Sequence, residues 1–287
     1  MTVTEVVAAG GADRTAMRPR RRRMSVSLAL SLIVVVGIGG AAVVAPLIAP
    51  YDPFALQDTM MPPSATYPLG TDALGHDMLS YLIWGGRTSL IFAVGASLVS
   101  LLVGILVGAI PTMLGNVADQ LGARAVELVL MIPQLFLLIT AVALVGSSTW
   151  IVVLIIGLTL WPANAKIMRN EVLSLRGRPF AEAASVAGLS RMGILFRHII
   201  PNGIGPVIAN SSLQMGYAVL MEAGLDFLGL GDPNHPSWGQ ALNAGQSYMT
   251  TAPWLVIFPG LILVMLMLAL NRIGEAVSDA LIPKGVR

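Results

Sequence analysis

Few side chains in this sequence are of types that could act in catalysis or bind a metal. Their spacing excludes most catalytic and metal sites. There are no cysteines, which excludes a disulfide framework, a thiolate nucleophile and a Cys-ligated metal. The three histidines, His76, His198 and His235, lie far apart, and none belongs to an HExxH motif. His76 lies near Asp72 and Asp77 and could suggest a metal site, but one histidine among loop carboxylates is more commonly just solvated. We therefore predict no catalytic residue, no metal site and no bound cofactor in this chain.

The amino-acid composition indicates the class of protein more clearly than any single motif does. Of the 287 residues, 55% are hydrophobic and only 11% are charged, with a mean hydropathy of +0.79. A soluble domain carries about 25% charged residues. Only lipid can cover so much apolar surface, which indicates an integral membrane protein. The pI near 9.2 does not predict nucleic-acid binding, because the basic residues flank apolar runs, where they set topology.

Six apolar runs are predicted to cross the membrane, which makes this an all-α membrane protein. The first run follows Arg18 and four arginines (20–23), so a signal peptide cleaved near Ala41, Ala42 or Ala45 is one interpretation. We favour an uncleaved helix, because signal h-regions span about 7–15 residues and this run approaches the roughly 20 residues that cross a bilayer. The predicted spans are 26–48, 88–110, 123–145, 150–165, 199–221 and 252–270.

The distribution of basic residues predicts the orientation of these spans. With a cytoplasmic N-terminus, every Lys and Arg falls inside except Arg87, at the outer end of the second span. Six spans then place both termini in the cytoplasm. The N-terminal part is predicted to be a disordered basic cytoplasmic tail (1–25) and the first transmembrane helix (26–48). An extracytoplasmic loop (49–87) with an interfacial helix near 78–85 follows. The transmembrane core (88–275) contains a short cytoplasmic turn (111–122) and a cytoplasmic loop (169–198), and a cytoplasmic C-terminal tail (276–287) ends the chain.

Ionisable and helix-breaking residues within spans are functional candidates by default. Glu127 lies one turn into the third span, where it could serve transport, reach lipid headgroups or pair with Arg124. Glu222, at the end of the fifth span, has an equally open role. Pro133 predicts a structural kink, whose freed carbonyl neighbouring groups would satisfy. A GxxxG face over 104–108 favours close helix approach, although the motif is common by chance in Gly-rich spans.

A short, moderately polar island from Pro179 to Pro201 interrupts two long apolar runs and must face water. Alanines at 181, 183, 184 and 187 favour a helix, Pro179 suits its first turn and Gly188 its C-terminal end. The result is a helix of two or three turns whose small side chains could lie in a groove on a partner. The alternative is a solvated loop helix packed on its own membrane domain.

The spacing of this island resembles the EAA loop of bacterial ABC importer permeases, which reads E-A-A, three residues, G, nine residues, I, one residue, L-P. Here His198 stands where that pattern has Ile, and Ile200 where it has Leu. By this resemblance the helix sits in a cleft of the ATPase and moves with it. The residues implied are Glu182, which would bond ATPase or loop groups, Ala183 and Ala184, which would allow a close fit, Gly188, which would permit a sharp turn, and Pro201, which would start the next span.

Three further stretches resemble one subgroup of these permeases. Residues 67–80, YPLGTDALGHDMLS, resemble HPLGTDxLGRDxLS, and residues 222–239 match EAGLSFLGLG…PSWG with Asp226 in place of Ser. Residues 271–281 resemble NxxGDxxRDxL, with Glu275 for Asp and Ser278 for Arg. The subgroup is the C-type permease subunit of dipeptide, oligopeptide and nickel ABC importers, and the resemblance covers roughly 68–281.

That resemblance implies a fold, a set of partners and a location. The fold is the type I ABC importer (MetI-like) transmembrane domain, in a bacterial inner membrane. The partners are a second homologous permease, two cytoplasmic subunits that bind ATP and Mg²⁺, and an extracytoplasmic solute-binding protein. This chain has no GxxxxGK[ST] loop of its own, so it would be a non-catalytic subunit. Short peptides are the favoured substrate, with nickel, glutathione or haem as alternatives.

Two other classes of function are alternatives to this one. A secondary transporter or channel often shows repeats and midplane charges on broken helices, and neither is evident here. An intramembrane enzyme needs paired aspartates, a Ser with a base, or a metal motif, and the isolated histidines supply none of these.

Overall fold

The computed structural model describes residues 25–281, which form helices joined by short turns and one longer loop at 49–77. Most of the predicted tail at 1–25 and the last six residues of the tail at 276–287 lie outside the described residues. The helices are α1 (Val26–Val43), α2 (Ala45–Ile48), α3 (Met78–Leu114), α4 (Asn116–Met131), α5 (Gln134–Val145), α6 (Thr149–Leu175), α7 (Pro179–Val186), α8 (Arg191–Ile194), α9 (Ile200–Phe227), α10 (Trp238–Gln246) and α11 (Trp254–Leu281), with a π-helical turn (Leu195–Ile199) between α8 and α9.

Helices α3, α6 and α9 pack against one another at the centre of the bundle. Glycines let α3 approach α6 closely, because a Cβ added at Gly108 would lie 2.9 Å from the Met168 Cβ. A Cβ at Gly104 would lie 3.1 Å from the backbone nitrogen of Ala165. The GxxxG face is therefore a helix-packing surface in this protein. Helix α1 packs at the periphery, on α11 and α3.

Contacts between helix ends show that the chain passes through the bundle six times. Gly203, in the first turn of α9, lies against Leu175, the last residue of α6. At the same end, Ser27 in the first turn of α1 accepts a hydrogen bond from Arg272 of α11 (2.8 Å), and the carbonyl of Leu114, the last residue of α3, accepts one from α8. We call this the α7 end and the opposite one the far end. Helices α1, α4 and α9 begin at the α7 end, whereas α3, α6 and α11 finish there.

Hydropathy and packing together account for the six predicted spans. Within the described residues, α1, α3, α6 and α11 are each long and apolar enough to cross a membrane, and α4 with α5 make a fifth if that bent pair is one span. Helix α9 has 28 residues, but Asn210, Ser211 and Gln214 lower its hydropathy. Their hydrogen bonds to neighbouring helices, described below, allow them to lie within a bundle in lipid. The all-α architecture is therefore as predicted.

The helix boundaries differ from the sequence prediction at several places. Three helices continue past the predicted span ends at 165, 221 and 270, namely α6 to Leu175, α9 to Phe227 and α11 to Leu281. The interfacial helix expected near 78–85 is instead the beginning of α3, which runs on without a break and passes Pro111. The turn expected at 111–122 consists of Gly115 alone. Its φ is +139°, a conformation that glycine adopts readily because it has no Cβ. The third span is broken at Pro133, where α4 and α5 meet at 87°. Proline thus bends the chain far more at Pro133 than at Pro111.

Candidate functional site

Helix α7 forms where the polar island predicts it, and both of its ends have a local cause. Arg178 is extended at the N-cap, Pro179 occupies the first turn, and Glu182 places a negative charge near the N-terminus. At the other end, the N–H of Gly188 donates to the Ser185 carbonyl (3.0 Å) and the N–H of Leu189 to the Ala184 carbonyl (3.1 Å). This is a Schellman motif, and it requires the left-handed φ of +86° at Gly188.

The two faces of α7 have different surroundings. Ala181 and Ala184 are buried in an apolar cluster with Val172 of α6 and Leu195 of the π-helical turn. Glu182 and Ala183 are exposed, and Val186 is 90% exposed. The small residues at 181 and 184 therefore seat α7 on its own membrane domain, while Glu182, Ala183 and Val186 form an outer face. We call these three residues the outer face of α7.

A second irregularity lies between α8 and α9, in the stretch that contains His198 and Pro201. Pro201 has no N–H to donate to the carbonyl four residues earlier, so the backbone hydrogen-bond ladder lacks one bond at this point. A π-helical turn over Leu195–Ile199 precedes it, and the His198 carbonyl accepts a hydrogen bond from Asn202 Nδ2 (2.6 Å). His198 therefore contributes to the helix junction. Such turns often mark functional sites.

Two arginines of the loop tie it to the C-terminal end of α3. Arg176, just before α7, donates to the Thr112 carbonyl, and Arg191, just after it, donates to the Leu114 carbonyl, both at 3.3 Å. These are among the last carbonyls of α3, which have no intrahelical partner and carry the negative end of the helix dipole. The loop is therefore attached to α3 on both sides of α7.

An ion pair next to this attachment connects three helices. Asp119 of α4 accepts hydrogen bonds from Arg169 Nε and Nη2 of α6, both at 2.7 Å, and a third from Thr112 Oγ1 of α3 at 2.9 Å. The Asp119 side chain is only 11% exposed. Sequence reasoning did not predict that these charges pair, because 50 residues separate them. Their positions at the α7 ends of two spans are the signal that could have suggested it.

A buried polar network joins α3, α6 and α9 deeper in the bundle. Asn164 of α6 is fully buried, and its Nδ2 lies 2.9 Å from Ser100 Oγ and 3.0 Å from Gln214 Oε1. Its Oδ1 accepts from Asn210 Nδ2 at 2.8 Å, and Ser211 lies at 3.0 Å. Sequence reasoning missed this network, although an Asn inside an apolar run was a usable signal.

At the far end, a loop folds back on the starts of α6 and α10. Asp226, where the resembled motif has Ser, accepts a hydrogen bond from Ser237, the N-cap of α10. Asp232 caps α6 by accepting from the Thr149 N–H at 3.0 Å. Burial acts to raise the pKa of Asp232, but hydrogen bonds from the N–H groups of Thr149 and Asn234 hold that pKa below its usual range.

The remaining ionisable residues that the sequence singled out are His76, Glu127 and Glu222, and the structure gives the environment of each. His76 Nδ1 lies 2.8 Å from Asp72 Oδ2, and no group of three or more His, Cys, Asp or Glu side chains suited to a metal occurs within residues 25–281. Glu127 pairs with Arg124 at 3.3 Å on an exposed helix face, as the sequence suggested. Glu222 is 1% exposed, and neither of its carboxylate oxygens has a hydrogen-bond partner among the described residues.

Comparisons with known proteins are consistent with this arrangement. The profile of the family described as "Binding-protein-dependent transport system inner membrane component" matches residues 100–284. The chain is 38% identical to the oligopeptide transport system permease protein OppC of Escherichia coli (strain K12), over 84% of this chain and 82% of that protein. It is 36% identical to the di/tripeptide transport system permease protein DppC of Pseudomonas aeruginosa (strain UCBPP-PA14), over 85% and 83%.

Among solved structures, an inward-facing conformation of the MetNI methionine ABC transporter has a similar fold. The TM-score is 0.58, and the match covers 72% of this chain and 98% of that one. At 18% sequence identity the likeness concerns the fold alone.

Proposed function

We propose a function for this chain on the premise that it belongs to the family of binding-protein-dependent transport system inner membrane components. It is a permease subunit of an ABC importer, located in a bacterial inner membrane. Within that role, we propose that α7 is the segment that transmits ATPase motion, and that the path it controls carries short peptides.

The outer face of α7 is the observation that carries the proposal. Val186 is 90% exposed at the end of α7, and beside the small Ala183 it forms an apolar projection that suits a shallow socket on a partner. Glu182 and the small Ala183 beside it would add a hydrogen-bonding group and close approach. Ala184 would act from behind, by seating α7 on α6.

The attachment of the loop suggests how a movement of α7 would reach the membrane. Arg176 and Arg191 hold the two flanks of α7 to the end of α3. Thr112, next to that attachment, contacts Asp119, and Asp119 binds Arg169. A displacement of α7 would therefore act on α3, α4 and α6 together, which is what alternating access requires. The Gly188 and Pro201 irregularities would bound the segment that moves.

Partners follow from the proposed role. The proposal includes a second homologous permease as a heterodimer partner, two ATP-binding subunits that bind ATP and Mg²⁺, and an extracytoplasmic solute-binding protein that delivers substrate. The predicted orientation, with both termini and the 169–198 loop in the cytoplasm, is part of the same proposal, since it brings α7 within reach of the ATPases.

Short peptides are the proposed substrate, because the OppC and DppC relatives are named for oligopeptides and for di- and tripeptides. Nickel, glutathione and haem are the alternatives within the class. The peptide proposal is separable from the coupling proposal, since selection would rest on the solute-binding protein and coupling on α7.

Affinity purification of the tagged chain from detergent-solubilised membranes, followed by mass spectrometry, tests the proposal. We expect recovery of two ATPase subunits and a second permease, and the ligand carried by the associated binding protein would identify the substrate. Recovery of the chain alone, from membranes that preserve another ABC complex, would contradict the proposed role of α7. Uptake driven by a proton gradient without ATP would support a secondary transporter instead.

A further inference from the structure

A groove opens on the outside of the bundle at the far end, between α1 and α3. It encloses about 460 Å³, and its lining is apolar except for one side chain. The lining residues from α1 and α6 are Gly39, Ala42, Val43 and Trp150, and those from α3 include Leu90, Val94 and Gly95, with Arg87 at one edge.

The ends of the neighbouring helices place Arg87 near the boundary between lipid and water. Helix α1 ends at Val43 and α6 begins at Thr149, and residues next to both ends line the groove together with Arg87. Trp150 is 66% exposed at this level, where tryptophan is enriched in membrane proteins. The groove therefore extends from the interface into the hydrocarbon region.

Arg87 is the unusual component of this surface. It is exposed and has no ion pair or hydrogen bond within the described part of the chain. It is also the one basic residue that the positive-inside pattern leaves at the outer end of a span. A guanidinium at the rim of an apolar groove is complementary to a phosphate on an acyl chain, because Arg binds phosphate with two parallel hydrogen bonds.

We propose that this groove binds an anionic glycerophospholipid, with one acyl chain along α1 and α3 and the phosphate on Arg87. Gly39 leaves room for the chain, because a Cβ added there would meet only Leu90 Cδ1, at 3.6 Å. The bound lipid would fill the space beside α1, whose last turns are otherwise anchored here by the buried Ala42. The site depends only on the chain spanning a membrane and not on the nature of the transported substrate.

The test uses the full transporter complex in nanodiscs that contain phosphatidylglycerol bearing a photoactivatable acyl chain. We expect crosslinks to residues lining the groove. Unlabelled phosphatidylglycerol should compete more strongly than phosphatidylcholine, whose quaternary ammonium places a second positive charge near Arg87. Arg87→Gln should reduce crosslinking about tenfold, the factor that corresponds to loss of one charge-assisted contact, and Arg87→Lys should retain part of it. Gly39→Leu should exclude the chain while leaving Arg87 in place.

Arg124→Gln is the matched control, since Arg124 is an exposed arginine on α4 that does not line the groove. Equal crosslinking in the wild type, Arg87→Gln and Gly39→Leu would overturn the proposal. Crosslinks from a photoreactive residue at position 94 to the second permease, with none to lipid, would also overturn it and would identify the groove as a subunit interface. Normal ATPase coupling in all of these variants would leave the proposed function untouched.

Discussion

Arg169 and Asp119 form a two-pronged ion pair across the α7 end of the bundle, with both N–O distances at 2.7 Å. The pair joins α6 to α4, and Thr112 adds α3 through a third hydrogen bond to the same carboxylate. Arg176 in turn donates to the Thr112 carbonyl. The loop that carries α7 and the three helices behind it therefore share one connected set of polar contacts.

Breaking this pair should destabilise the membrane domain and loosen its link to α7. Arg169→Gln leaves the mostly buried Asp119 carboxylate without its charged partner, at a cost of about 1.5–3 kcal/mol. We expect a lower midpoint in thermal unfolding of the purified complex and weaker peptide stimulation of ATPase activity. Arg169→Lys should recover only part of both, since a single ammonium cannot reproduce the two parallel bonds.

The control for that prediction is Arg124→Gln, which removes an exposed ion pair with Glu127. Pairs of this kind contribute about 0–1 kcal/mol. A change in the midpoint as large as that of Arg169→Gln would argue against a special role for the Arg169–Asp119 pair.

The Asn164 network should be a second stabilising element, because it satisfies polar groups of three helices inside the bundle. Asn164→Leu removes the partner of Asn210 and one partner of Gln214, and we expect a loss of about 1–2 kcal/mol. Thermal unfolding in detergent measures it. Thr140→Val is the control, since the exposed Thr140 hydroxyl bonds only its own helix, at the Phe136 carbonyl. A midpoint unchanged by Asn164→Leu would show that the network contributes nothing.

Ser237 should couple the far-end loop to α10. Its hydroxyl donates to the buried Asp226 and accepts from the Gln240 N–H at 3.2 Å, so Ser237→Ala removes an N-cap and a partner of Asp226. We expect a loss of about 1–3 kcal/mol. Asp226→Ser in the same background should recover part of it, because the two sites interact. Strictly additive effects in the double-mutant cycle would contradict a direct bond.

Val186 should be required for assembly with the ATPases but not for folding. Val186→Asp puts a charge on a side chain that is 90% exposed, so unfolding should be unaffected, while the charge would have to be desolvated in an apolar socket. We expect ATPase recovery in the purification to fall about tenfold or more. Val186→Thr, which keeps the shape, should lose less. Full recovery with Asp at this position would mean that another surface binds the ATPase.

Hydropathy predicted the helices well where they are apolar and packed against lipid. It failed at the helix ends. Helix α3 continues through Pro111 and the chain turns at Gly115, because backbone conformation and not side-chain polarity sets where that helix ends. Hydropathy also could not show that Pro133 turns the chain by 87°, since Pro111 and Pro133 look alike in sequence.

The position of α7 was predictable from local signals, whereas the functional roles of its residues stay a prediction. The spacing of Glu182, Gly188 and Pro201 located α7 and its ends, because caps and proline act locally. It did not separate Ala183, which is exposed, from Ala184, which is buried, since that depends on which face of α7 meets α6. The Arg169–Asp119 contact and the Asn164 network depend on helix packing across about 50 residues of sequence, which no local pattern encodes.

The central claim, that α7 transmits ATPase motion to the membrane path, is tested most directly by peptide-stimulated ATPase activity of the complete complex in proteoliposomes carrying Gly188→Asp. Gly188 has φ +86° and no atom within 4 Å of an added Cβ, so the substitution strains the backbone at the end of α7 without a clash. Gly177→Asp is the control, in the same loop, also open, and without a left-handed φ. We predict that Gly188→Asp assembles but loses stimulation, because it adds a negative charge at the negative end of the α7 dipole as well as backbone strain. Gly188→Asn has a similar shape without the charge, and Asn and Asp both enter this conformation, so it should keep much of the stimulation. Gly177→Asp should be close to wild type. Normal stimulation in Gly188→Asp would contradict the account.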